Sequence, residues 1–145
     1  MNDRFPRSPY DKLGGLVYLA RMLDKIRLHA AKTLPSAYHE NLGTGFDARC
    51  CAFLGVKYAE LSQRTLAGGT DEDVFAWCVK NGRNPSKDEI EDWNDFMVKR
   101  GWRDGAAPRL RTRIQESHFE NRQPPILTFF DYIDADEQRT PPVFA

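Results

Sequence analysis

A chain of 145 residues can bury a single core, and its 41% hydrophobic and 12% aromatic content suits one globular domain. Its 21 basic and 21 acidic residues cancel, which excludes the simplest disorder signature and removes an overall basic balance as an argument for nucleic acid. Apolar runs such as Leu16 to Ala20 are far short of the roughly 20 residues that span a bilayer. The N-terminus lacks the apolar stretch of a signal peptide.

Ser8 and Pro9 suit a helix start, with Asp11 three residues on, although Gly14-Gly15 moves the firm part of that helix further along. The spacing predicts that it runs to about Thr33. Residues 36–45 read as loop. Asp47 is placed to cap a short helix closed by Gly55, and Val56 to Leu66 forms a third. Thr70 with Asp73, and Ser86 with Glu89, mark the starts of a fourth and a fifth, which end at Asn81-Gly82 and at Gly101. A sixth covers residues 107–119. From residue 124 onwards, prolines alternate with β-branched and aromatic residues, which reads as an extended tail, with a short strand pair as its alternative. Ile126, Leu127, Phe129 and Phe130 would each forfeit roughly 1.5–3 kcal/mol if left in water, so the tail over 124–145 is expected to dock on the helices. The predicted fold is mainly α: one domain over residues 1–145, with five or six short helices.

The first helix carries the main chemical question. On a wheel at about 100° per residue, Leu16, Leu19, Ala20, Leu23, Ile26 and Ala30 form the core stripe, with Arg21, Lys25 and Lys32 opposite in solvent. Arg27 falls inside the stripe, and Asp24 stands at its edge, one turn away. An unpaired buried guanidinium is too costly to keep, so Arg27 is expected to snorkel out to solvent, to pair with Asp24 or another acid, or to face a polar cavity. Arg21, Asp24, Lys25, Arg27 and Asp47 are therefore the candidate ligand-binding residues. Asp47 also serves simply as a helix cap.

Other concentrations weigh less. Asp131, Asp134, Asp136 and Glu137 lack the central glycine and late glutamate of a calcium loop, and read as a solvated turn or as partners for Arg27. His29, His39 and His118 show no ligand spacing, and no phosphate-loop or nucleophile motif occurs. No metal or cofactor is expected. Cys50, Cys51 and Cys78 are an odd, unspaced set, read as core residues in a reducing cytoplasm. Arg103, Arg109, Arg111 and Arg113 beside Trp102 make the best nucleic-acid segment, but flanking acids favour a solvated helix face. The three tryptophans read as core anchors.

The stretches SPYDKLGGLVYLARMLDKIR (residues 8–27), FDARCCAFLGV (46–56), GGTDEDVFAWC (68–78) and ILTFFDYIDADEQR (126–139) span most of the chain in one order. On these motifs the chain resembles the bacterial domain-of-unknown-function family numbered 5069. The resemblance implies a compact, largely helical, soluble domain and no catalytic residues to carry over. Three functions follow as expectations. The first is a module for a small anionic ligand or a protein partner, with a polar cleft near Asp24 and Arg27. The second is an enzyme using Asp24 or Asp47 as acid or base. The third is weak nucleic-acid binding through residues 103–113.

Overall fold

The computed structural model describes residues 4–143, and these are mainly helical. Two short strands, β1 (Lys12–Leu13) and β2 (Leu16–Val17), pair antiparallel ahead of α1 (Leu19–Ala30). A 3-10 helix (Ser36–Asn41) leads to α2 (Phe46–Leu54), α3 (Tyr58–Leu66) and α4 (Asp71–Asn81). Then follow α5 (Lys87–Lys99), α6 (Ala107–Glu116) and α7 (Phe129–Asp136).

The expected long first helix is thus divided. Gly14 and Gly15 take φ of 61° and 82°, the geometry of a two-residue hairpin turn, so the chain reverses before it can wind. A side chain at Gly14 would also meet the Phe75 ring at 2.4 Å. Asn94 of α5 clamps the hairpin: its amide donates to Gly15 O at 2.8 Å, and its carbonyl oxygen accepts from Val17 N at 2.9 Å.

The strand pair lies here rather than in the C-terminal tail. Residues 129–136 of that tail are helix, because the Thr128 hydroxyl accepts the Asp131 backbone N–H and caps α7. Phe129 and Phe130 are buried by it, whereas Leu127 is 54% exposed, contrary to expectation. The end of the tail, residues 144–145, lies outside the described residues.

α1 is the central element. Leu19, Leu23 and Ile26 pack with Leu61 of α3, Val74 and Cys78 of α4, and Trp93 and Met97 of α5 in one core. A smaller cluster of Ala106, Leu110 and Phe129 joins α6 to α7. Phe130 bridges towards the hairpin side, edge-on to Tyr10 at 5.3 Å and stacked on Tyr18 at 6.1 Å. Trp93 is a core anchor and Trp77 packs against the core, but Trp102 is 48% exposed. No helix among the described residues is long and apolar enough to cross a membrane.

Candidate functional site

At Arg21 and Lys25 the face of α1 opposite its apolar stripe is covered rather than solvent-exposed. Arg21 and Lys25, expected there as exposed cations, are buried. Both line a cavity of about 670 Å3 bounded by α1, the 3-10 helix, α2, α6 and α7.

Two compensated ion pairs form its buried inner wall. Lys25 Nζ donates to Asp47 Oδ1 at 2.6 Å and to the Tyr18 hydroxyl at 2.9 Å, while that hydroxyl donates to the same Asp47 oxygen at 2.6 Å. Asp47 Oδ2 accepts the Gly43 N–H at 2.9 Å. Asp47 is therefore no N-cap: it sits inside the first turn of α2, fully buried, and its carboxylate turns inward to the lysine. Burial pulls the Lys25 pKa below the ordinary lysine value, with Asp47 opposing. Tyr18 immediately precedes α1 at φ 79°, a conformation rare for a residue with a side chain and costly by about 1–3 kcal/mol. Burial pushes its phenol well above the usual value, reinforced by the charge of Asp47.

The second pair is Arg21 with Glu137. Arg21 Nη1 and Nη2 donate to the two carboxylate oxygens at 2.8 and 2.7 Å, and the Tyr38 hydroxyl adds a bond at 2.6 Å. Arg139 reaches Glu137 from the other side at 2.6 Å. Asp131, Asp134 and Glu137 are thus bonded within the protein, and Glu137 accepts from Arg21 rather than from Arg27. Asp131 accepts the Tyr10 hydroxyl at 2.5 Å.

The cavity mouth has a different balance. Arg49, Arg109 and Arg113 are exposed lining residues, and none of them joins a salt bridge among the described residues. Arg100 is there too, already paired with Asp104 at 3.2 Å. Asp136 is the exposed acid of the lining; burial and the nearby Glu137 charge raise its pKa, and Arg113 partly offsets this. Phe46, Phe129 and Tyr132 supply aromatic wall. Arg109 lies over the Phe129 ring at 5.3 Å, leaving its guanidinium edge for other partners.

Asp24 and Arg27 are elsewhere, and they do not pair with each other. Arg7 clasps Asp24 through Nε and Nη2, both at 2.9 Å, and also reaches Asp71 at 2.7 Å. Arg27 donates to the other Asp71 oxygen at 2.6 Å. Burial alone would raise the Asp71 pKa, but the two guanidiniums hold it below the ordinary carboxylate value. This half-exposed network ties the N-terminal segment and α1 to the start of α4. Of the candidate residues, Arg21 and Lys25 line the cavity and Asp47 pairs with Lys25, instead of standing in solvent or at a helix cap. Tyr18, Tyr38, Glu137 and Arg49 stand outside the candidate set, and Arg109 and Arg113 are exposed as expected, the structure adding that they line the cavity. The available signal was that Arg109 and Arg113 stand four apart, so they project from one side of a helix.

The fold and cavity define a small helical domain with a compensated polar floor and an arginine-rich, aromatic mouth. The chain belongs to the family of the domain of unknown function DUF5069, whose model matches residues 3–139. That match includes every residue named here as lining the cavity. None of the curated proteins compared matches the chain.

Proposed function

We propose that this domain binds a small organic anion in the cavity, with the anionic group at the mouth and a neutral, partly apolar portion inside. The observation that carries this reading is the charge distribution. Arg49, Arg109 and Arg113 converge on one opening without salt-bridge partners among the described residues, while Lys25 and Arg21 deeper in are neutralised by Asp47 and Glu137. Guanidinium forks favour phosphate and carboxylate groups. The tyrosine hydroxyls and Phe46 offer hydrogen bonds and ring contact to the remainder of the ligand. A volume of about 670 Å3 lies within the usual range for small-molecule sites. The same concavity favours a small ligand over nucleic acid, for which Arg109 and Arg113 would serve better on an open face.

We also place the protein in the bacterial cytoplasm. Three buried free thiols support a reducing compartment, and the family resemblance supports the bacterial origin.

The test is titration calorimetry with 4-carboxybenzaldehyde, adenosine monophosphate, citrate and neutral adenosine as probes. At least one anion should bind and weaken as salt rises, and the charge-neutral probe should not bind. Charge-assisted bonds contribute about 1.5–3 kcal/mol each, so Arg109→Ala with Arg113→Ala should weaken binding roughly tenfold or more. Anion binding unchanged in the double variant, or no binding by any probe at millimolar concentration, would reject the reading.

A further inference from the structure

We infer that Lys25 is a nucleophilic amine, forming an imine with an anionic carbonyl compound held in the cavity. This rests on the anion-binding reading and goes beyond it, because it assigns a covalent activity to a specific nitrogen. The argument begins with placement. Of the seven lysines in the chain, Lys12, Lys32, Lys57, Lys80, Lys87 and Lys99 are exposed, and Lys25 alone is buried against a cavity. Its ammonium has two bonded partners, Asp47 and Tyr18, and an ammonium has three donors.

As a stabilising device the arrangement is poor. A buried lysine–carboxylate pair loses several kcal/mol of hydration per ion, and a well-packed apolar replacement often does as well. The fold also holds Tyr18 at φ 79°, and so keeps its hydroxyl 2.9 Å from the lysine nitrogen and 2.6 Å from Asp47. Strained backbone at such a place is characteristic of functional sites.

The chemistry balances with these three groups. The ammonium proton passes along the 2.6 Å bond to Asp47, freeing the nitrogen lone pair. Burial, which disfavours the charged lysine, assists this transfer. Nζ attacks the carbonyl carbon and forms the N–C bond; the C–O π pair moves to oxygen, which takes a proton from the Tyr18 hydroxyl. The nitrogen then loses a proton to the Tyr18–Asp47 pair. Its lone pair forms C=N as the hydroxyl takes the proton held by Asp47 and leaves as water. Ammonium and carbonyl become protonated imine and water, with Asp47 again a carboxylate and no oxidant or reductant required. The arginine mouth selects carbonyl compounds that bear a carboxylate or phosphate.

The intact protein is incubated with 4-carboxybenzaldehyde and sodium cyanoborohydride, which reduces an imine to a stable secondary amine, and the adducts are mapped by peptide mass spectrometry. Lys25 should be labelled at least about tenfold faster than any of the six exposed lysines, the gain expected from a positioned nucleophile. Neutral benzaldehyde should lose this preference. Tyr18→Phe should slow labelling at Lys25 while leaving the exposed lysines unchanged. Labelling confined to exposed lysines while calorimetry still shows the aldehyde bound would overturn the inference and leave the anion-binding reading intact. Absence of Lys25 labelling together with no binding by any of the anionic probes would overturn both.

Discussion

Glu137 shows how much one side chain organises at the floor of the cavity. It receives a bidentate guanidinium from Arg21, a phenol from Tyr38 and a second guanidinium from Arg139. Burial by itself would raise its pKa, but the hydrogen bond and charge of Arg21 outweigh that and hold it below the ordinary 4.5. The folded state therefore binds fewer protons at this site than the unfolded state. The resulting stability is fully present above about pH 4.5 and is lost as pH falls through the native value. Urea denaturation over an acid series should show wild-type stability falling more steeply than that of Glu137→Gln. Equal pH slopes would remove Glu137 as a source of acid sensitivity. Arg21 and Tyr38 could not be named as its partners from sequence, since both lie far from it along the chain, whereas Arg139 stands two residues away.

At the scale of elements, the capping signals ahead of α4 and α5 held in full. Thr70 with Asp73 and Ser86 with Glu89 form complete capping boxes at the starts of α4 and α5. Thr70→Ala should lower stability by about 1 kcal/mol in urea denaturation, because it leaves the Asp73 N–H without its acceptor. A change within error would mean that water replaces the cap without loss. Gly55 closes α2 in the left-handed conformation, as its position predicted. The same pattern of a hydroxyl residue three before an acid is present at Thr128 and Asp131, but the surrounding prolines and β-branched residues obscured it. The sequence over helix α7 therefore resembles extended chain. The start of α1 failed for a different reason: a capping pattern at Ser8 competes with two glycines whose positive φ angles favour a turn.

Across the whole molecule, Phe130 couples the core to the cavity wall. It is fully buried and touches Tyr18 and Phe46, both of which also line the cavity. Phe130→Ala should cost about 3–5 kcal/mol of unfolding free energy, the usual range for a large aromatic removed from a close-packed interior. A loss below 1 kcal/mol, on the order of a tolerated surface change, would show that the aromatic cluster repacks freely.

Composition and local pattern by themselves determined that this is one mainly helical domain, and they placed most of its helix ends. Those outcomes depend on backbone preferences and on hydrogen bonds between residues three or four apart. The periodicity of α1 also located most of its apolar stripe: Leu19, Ala20, Leu23 and Ile26 are buried, while Ala30 is exposed and Leu16 lies in β2. A helical wheel, however, assumes one buried side and one wet side. Here the C-terminal segment, α2 and the 3-10 helix close over the second side, turning Arg21 and Lys25 from expected surface cations into the floor of a cavity. Only the tertiary structure decided that Asp47 faces Lys25, that Asp24 belongs to Arg7, and that Arg49, Arg109 and Arg113 share one opening. Such pairings join residues far apart in sequence, and the low polarity that gives them chemical consequence exists only once the helices have packed.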